Sequence, residues 1–496
     1  MERYKKANEG IHAPETLKQK AVRFTPKNKC KRTSFTPHVS RKAWIGAVAA
    51  VLAVVILGGI IFWPSSGILS GSAYAFSIVE AQYPDMPQLP QYDPMSSEKE
   101  HAEYQISLKK WEADVLSRMD ALTSLGGETA LDSFNRTVIR QFLSGSGSEN
   151  AFFSPLNLFL SFAMTAELTD GNSRQQILNL LEVGDMDQLR ALSSALWTAN
   201  YRDDGNTTAI LASSLWIRDD LPYVEETMAQ LAETYYASSF AGKMGSELFN
   251  RDMQSWMNDQ TGGMLEKYAN GHTMDPDALL ALITTLYFHA PWDDQFANNK
   301  VVAQTFHGAA EDVETTFMQE TMDYNTYYWG DRFGAVQKDF FREGSMWFIL
   351  PEEGVSMDEL LDDPELAEFL GGDWDSWENQ TRRTIHLTVP KFDISNELDL
   401  ISGLKELGVT DIFNSDLADF SPTSTFPAYM SEIKHAARLS IDEKGCTGAS
   451  YTISKIIPLS APVSQDPITF VLDRPFLFLV ESGSGQFLFT GIVNQL

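Results

Sequence analysis

The residues with the most telling spacing in this chain lie near its C-terminus and form no catalytic set. Ile441-Asp-Glu-Lys-Gly-Cys446 reads as a strand that stops after Gly445, and a long loop with a strand-like pattern follows. From Cys446 one face carries Cys446, Gly448, Ser450, Thr452, Ser454 and Ile456, all small or apolar and none charged. The other face carries Thr447, Ala449, Tyr451, Ile453 and Lys455. Period-two alternation allows one face to be buried and the other left in water. The segment is therefore built to stand exposed first and to be inserted later. Elsewhere there is no His-Glu-x-x-His, no phosphate-binding Gly-rich loop and no Gly-x-Ser-x-Gly elbow. The eight histidines are scattered without metal-ligand spacing. An enzyme reading has little support, and neither a metal nor a cofactor is implied.

The segment resembles the reactive-centre loop of the serpins, and its flanks carry the same resemblance. Lys434-His-Ala-Ala437 leading into Ile441–Gly445 looks like the strand that feeds the loop hinge, and Arg474-Pro-Phe-Leu-Phe-Leu479 looks like the C-terminal signature. Further motifs follow in the family's order. Asn150-Ala-Phe-Phe-Ser-Pro155 resembles the start of the second helix and Asp170-Gly-Asn-Ser-Arg-Gln-Gln-Ile177 its exit. Trp256, Thr261, Gly263 and Leu265 keep the spacing of a Trp-x4-Thr-x-Gly-x-Ile pattern. Leu286-Tyr-Phe288 with Trp292 and Phe296, Pro390-Lys-Phe392, Leu404 to Phe413 and Ala418-Asp-Phe-Ser421 complete the set, which spans roughly residues 126–496.

What the resemblance implies is a suicide substrate. A target protease attacks the loop (about 445–467) and forms an acyl-enzyme, and the freed loop inserts as a strand before deacylation. Counting from the hinge as the family does places the scissile bond at Leu459-Ser460, suited to chymotrypsin-, subtilisin- or elastase-like enzymes with an apolar primary pocket; Lys455 is a second bait for a trypsin-like target. The partner implied is a serine protease, with a cysteine protease as the less favoured choice. The hinge is assigned to Glu443, Gly445, Cys446, Thr447, Gly448, Ala449 and Ser450. Cys446 stands where Thr or Ser is usual, and either a packing role or a redox switch fits it. Trp292 is assigned to the breach, where the sheet first opens. The shutter, the polar cluster that lets the sheet part, is assigned to Ser154, Asn157, Thr284 and His435. Thr284 replaces the usual Asn, so Asn157 is expected to supply the amide that bonds His435. The different-class alternative is a non-inhibitory serpin acting as a surface binding or adhesion module.

These residues need a sheet and helices to hold them. Amphipathic helices are set by Leu131, Phe134, Val138 and Phe142, and after Pro155 by Phe159, Phe162 and Ala163. Strand-like runs cluster late, at 279–288, 346–350, 384–389, 436–441, 468–472, 476–480 and 487–489, with a Ser482-Gly-Ser-Gly485 turn joining the last two. Helices followed by strands indicate α+β architecture, and the resemblance makes it the serpin fold of about nine helices around three β-sheets.

Upstream of the resemblance, Ala43–Trp63 is an uncharged apolar run long enough to span a bilayer as one helix. Residues 1–42 hold twelve Lys/Arg and three Asp/Glu, a net of +9, which leaves −38 on the rest of a chain whose total is −29. Such a flank predicts a membrane-anchored protein of bacterial type, single-pass, with a cytoplasmic N-terminus and an extracellular body. The competing reading is a signal peptide cleaved near Ala75. Acidity argues against nucleic acid as a partner. The only cysteines are Cys30 and Cys446, on opposite sides of the span, so the body has no internal disulfide and a monomer is expected. Pro84, Pro87, Pro90 and Pro94 predict an extended stalk over 64–96. Ser97 and Glu100 then predict a capping box opening an accessory helix over 97–125, with Tyr104, Leu108, Trp111, Val115, Met119 and Leu122 on one docking stripe.

Overall fold

A computed structural model describes residues 74–93, 95–126, 130–297, 300–372, 374–430, 433–446 and 466–496, with the backbone alone for 396–399 and 434–436. The segment 1–42, the apolar run 43–63 and residues 64–73 lie outside the described residues. Among the described residues no helix is long and apolar enough to cross a membrane.

In chain order the first elements are β1 (Ser77–Val79), α1 (Glu98–Ser124), α2 (Asp132–Leu143), β2 (Ala151–Phe153), α3 (Pro155–Leu168), α4 (Gly171–Leu180) and α5 (Met186–Asn200). Next come β3 (Arg202–Asp203), β4 (Thr208–Arg218), α6 (Glu225–Tyr235), β5 (Ala237–Gly242), α7 (Glu247–Gln260), α8 (Glu266–Gly271), β6 (Leu280–Pro291) and β7 (Val301–His307). Then follow β8 (Asp312–Trp329), β9 (Phe333–Asp339), β10 (Ser345–Pro351), α9 (Met357–Leu361), α10 (Pro364–Phe369), β11 (Gln380–Pro390) and β12 (Phe392–Asp399). The last are α11 (Ile401–Glu406), β13 (Lys434–Ile441), β14 (Gly445–Cys446), β15 (Ile468–Val471), β16 (Phe476–Glu481) and β17 (Phe487–Val493).

The strands form two sheets. One runs β1-β5-β4-β6-β14-β13-β12, with β3 beside β4; the other runs β15-β11-β8-β9-β10-β16-β17-β2, with β7 beside β8. The resemblance implied three sheets, and the structure merges two of them. The reason is the 18-residue β8, which pairs with β7 and β11 along most of its length and with β9 through Tyr327–Trp329. One strand thus runs through both ladders.

All the late strand-like runs are strands, and the Ser482–Gly485 turn joins β16 to β17. The pattern missed β4, whose Thr208–Arg218 run is buried at nine consecutive positions. A strand covered on both faces loses the alternation that identifies a half-buried one. Helix α3 is the same case in helical form. All fourteen of its residues are buried, because it lies in the core against both β6 and β17.

The segment upstream of residue 126 is part of the folded body. Residues 80–93 are extended, as their prolines require, yet they lie along the protein instead of forming a free stalk. Strand β1 pairs antiparallel with β5 and covers what would otherwise be an open sheet edge. The Tyr74 hydroxyl donates to Asp259 (2.7 Å) and the Ala75 amide to Asp252 (3.0 Å), both on α7. Tyr83 stacks on Trp197, with ring centroids 5.4 Å apart. Tyr83, just before the first proline, packs on Trp197, Tyr201 and Tyr236 of the body, and that converts a spacer into a strap. Helix α1 then starts at the Ser97/Glu100 capping box. It buries Leu108, Trp111 and Leu122 and packs on α5. The Trp111 ring lies 4.8 Å from the Arg202 guanidinium and 5.9 Å from that of Arg342, while Arg342 pairs with Glu112 at 2.9 Å. Replacing Trp111 with Ala removes a buried ring and both cation contacts. It is expected to cost about 3–5 kcal/mol, read as a lower urea midpoint for loss of α1 docking.

Candidate functional site

The site is a strand position in the first sheet that, among the described residues, only Gly445 and Cys446 fill, at one end. Strand β6 pairs along Leu280–His289 with β4 on one side, and β13 pairs along its whole length with β12 on the other. Between them stands β14, two residues long, with Gly445 opposite Pro291 and Cys446 opposite both Ala290 and Ile441. Among the described residues no ladder joins β6 directly to β13. Burial of β6 is only partial from Leu280 to Thr284, whereas its neighbour β4 is buried from Ala209 to Ile217. The stretch of β6 beyond that pair, Leu280–His289, is about 33 Å of strand at roughly 3.3 Å per residue.

The top of the slot is closed by a tight network. Asp442 turns the chain: its carboxylate accepts from the Lys444 amide (2.8 Å) and the Gly445 amide (3.3 Å), and its own amide donates to the Gly445 carbonyl. Trp292 then holds the turn from the β6 side. Its indole N–H donates to the Asp442 carbonyl at 2.9 Å and its backbone amide to the Lys444 carbonyl at 2.9 Å, while Phe296 donates to the Glu443 carbonyl at 3.0 Å. The Trp292 ring is fixed by stacking on Phe340, 4.7 Å between centroids. Beneath it the Lys338 ammonium lies 5.4 Å from the Trp292 ring and 4.6 Å from that of Phe296, and it pairs with Glu320. Trp292, assigned to the breach from the resemblance, thus follows β6 directly and bonds the turn over Asp442–Lys444.

Glu443 pairs with Lys391, the central residue of the Pro390-Lys-Phe392 motif. Partial burial acts to raise the Glu443 carboxyl, but the hydrogen bond and charge of Lys391, with Lys444 nearby, hold it below its ordinary value. Gly445 has a steric role. A Cβ there would stand 2.3 Å from the Ala290 carbonyl oxygen and 2.7 Å from the Pro291 Cα, so only glycine lets the hinge enter the slot. Cys446 follows, fully buried, and burial pushes its thiol well above the ordinary range. A protonated, enclosed thiol is a packing residue in this state, and the redox alternative loses its reactive form.

His289 is a member that the sequence did not single out. Its Nδ1 lies 3.0 Å from the Cys446 carbonyl oxygen. Since a carbonyl only accepts, Nδ1 carries the proton, and burial pushes the imidazole down to about 4 against a weaker pull from Asp442. Only its place on β6, two residues from Pro291, could have flagged it, and that needs the ladder register.

The shutter residues are partly described. Ser154 caps α3, its hydroxyl accepting from the Asn157 amide at 3.1 Å. The Asn157 side chain is buried, and neither its oxygen nor its nitrogen has a hydrogen-bond partner among the described residues. Thr284 sits on β6 opposite Ser213 of β4. His435 lies on β13 opposite Leu398, and its side chain is outside the description. Thr447, Gly448, Ala449, Ser450, Leu459 and Ser460 also lie outside the described residues.

Residues 129–496 match the family profile described as "Serpin (serine protease inhibitor)". The chain is 28% identical to alpha-1-antiproteinase of Rattus norvegicus over 375 residues, 73% of this chain and 87% of that protein. It is 28% identical to plasminogen activator inhibitor 1 of Sus scrofa over 392 residues, 75% and 93% of the two chains. The fold is similar to the native-state crystal structure of tengpin, a thermophilic serpin, with a TM-score of 0.65 at 24% identity, covering 74% of this chain and 94% of that one.

Two measurements test the site. His289 is held neutral by burial, so its contribution to stability is full above about pH 6.5 and is lost as pH falls toward 4. His289→Gln should flatten the fall in melting temperature across that window, by an amount of the order of 2–3 kcal/mol. Under the exchange read from the sequence, Asn157→Ser should lower the urea midpoint by about 1–3 kcal/mol of stability; an unchanged midpoint removes the exchange.

Proposed function

The chain belongs to the serpin family, and from that premise we propose that it is a covalent suicide inhibitor of an extracellular serine protease with apolar primary specificity. The observation that supports this reading is that, among the described residues, only Gly445 and Cys446 stand between β6 and β13. In the proposed reaction the protease's serine oxygen attacks the Leu459 carbonyl, the peptide bond to Ser460 breaks, and the new Ser460 amine takes a proton. The loop is then an ester on the enzyme and free to follow Gly445–Cys446 into the slot. Its small, uncharged inward face lets it enter without burying an unpaired charge. Capture succeeds when insertion outruns hydrolysis of the ester. A cysteine protease would be trapped in the same way through a thioester.

The N-terminal region is proposed to anchor this monomeric, bacterial inhibitor through the 43–63 helix, with residues 1–42 in the cytoplasm and the body outside the cell. Tyr74 and Ala75 are bonded to α7, so cleavage near Ala75 would remove contacts of the folded body, which favours the anchored form over the secreted one. Incubation with chymotrypsin-like and subtilisin-like enzymes tests the function. The expected result is an SDS-stable complex at the summed mass, with loop-cleaved protein that melts well above the intact chain. A cleaved loop beside fully active protease, with no shift in melting, would sink the inhibitory reading and leave the adhesion-type alternative.

A further inference from the structure

Helix α1 lies outside residues 129–496, the part of the chain that matches the family. Its docking on α5 would by itself make it a cover. It also reaches a second place, the turn over Phe340–Gly344 that joins β9 to β10. Phe341 packs with Leu89, Leu108 and Trp111 in a small apolar cluster separate from the main core. Arg342 lies over both rings, its guanidinium 5.9 Å from that of Trp111 and 5.6 Å from that of Phe341, and it pairs with Glu112 of α1 at 2.9 Å.

The same turn is bound on its other side to Trp292. One residue before Phe341, Phe340 is buried in the main core, forms an antiparallel bridge with Trp292 and stacks its ring on the indole, 4.7 Å between centroids and 10° from parallel. Two adjacent aromatic residues thus belong to two clusters, and a single peptide unit joins them. The amide of that unit, on Phe341, donates to the Pro291 carbonyl at 2.8 Å, which ties it to the end of β6 beside Trp292. Trp292 in turn donates to the Asp442 and Lys444 carbonyls.

Arg342 is the residue of this turn that most needs support from outside. Its φ of 55° is in the left-handed region, which a residue with a side chain keeps only where its surroundings hold it there. The groups that hold it are Glu112 and Trp111 from α1, and Arg202, whose guanidinium donates to the Arg342 carbonyl at 2.9 Å and itself lies 4.8 Å from the Trp111 ring. Without α1, two of these three supports are lost and the third loses its aromatic contact.

We propose that Trp111 and Glu112 are positioning residues for the turn over Asp442–Lys444. By holding Phe341 and Arg342 they fix the Phe340–Trp292 stack, and through Trp292 the carbonyls of the turn from which the loop starts. The consequence for trapping rests on the function proposed above, since the geometry of this turn sets how the cut loop follows Cys446. The coupling itself is a property of the folded chain and can be read without a protease.

Hydrogen–deuterium exchange on the full chain in detergent micelles tests it. In Trp111→Ala the amides of Trp292, Phe296, Lys444 and Gly445 should exchange about 10-fold faster, while those of Leu477–Leu479 in the β10–β16–β17 ladder keep their rate. Trp111→Phe keeps a ring in the cluster and should keep the parent rates, because the Trp111 indole N–H has no hydrogen-bond partner among the described residues. Glu112→Gln, which leaves the apolar stripe of α1 intact, should speed the same four amides by about 2-fold. Faster exchange confined to α1, with those four amides unchanged in Trp111→Ala and Glu112→Gln, would overturn the proposal. Should Trp111→Ala loosen the whole chain, Leu477–Leu479 included, Glu112→Gln decides alone. A parent chain that forms no SDS-stable complex with chymotrypsin would remove the trapping reading and leave the exchange comparison to decide this one.

Discussion

The rest of the structure depends on the strand position between β6 and β13, which among the described residues only Gly445 and Cys446 fill. A sheet with an open interior position is not at its lowest free energy if the same chain holds a segment able to fill it. Each net ladder hydrogen bond contributes about 0.5–1.5 kcal/mol, so a strand along the open stretch of β6 would add of the order of 10 kcal/mol. That quantity is of the same size as the whole stability of an ordinary domain. On the proposed mechanism, the fold has to keep that position for the loop until the loop is cut.

The devices that do so gather at the top of the slot. Asp442 makes the turn, Trp292 grips its carbonyls, Glu443 is paired with Lys391, and His289 holds the Cys446 carbonyl. Each fixes backbone or a charge rather than adding apolar area, which suits a joint that must hold one geometry and then release it. Gly445 adds a steric condition, since any side chain there would meet the β6 backbone. At the opposite edge of the same sheet β1 closes the β5 edge, and the strap from Tyr74 to Leu89 ties that edge to α7 and α5. Sheet movement on insertion would have to accommodate these attachments.

Much of the fold was legible from residue patterns. The late strands, the Ser482–Gly485 hairpin, the capping box at Ser97 and the docking stripe of α1 are all local signals, written within a few residues of one another. The readings that failed share a cause. β4 is covered on both faces and so shows no period, and the prolines of 84–90 fix an extended backbone without saying whether it is bound. The merging of two sheets turns on the length of β8, where only the pairing partners distinguish one ladder from two. At the site, Glu443, Gly445, Cys446 and Trp292 could be named from the chain, but Asp442, His289 and Lys338 could not, because their roles are set by who stands opposite them.

By itself the sequence determined the α+β class, the family and the small uncharged face of the segment after Gly445. These follow from alternation, capping and motif order, which are properties of neighbouring residues. Only the tertiary structure decided that Gly445 and Cys446 pair between β6 and β13, that the proline segment is a strap, and that Cys446 is sealed. Those depend on contacts between residues tens to hundreds of positions apart, where ladder register and burial, rather than residue type, determine what a side chain can do.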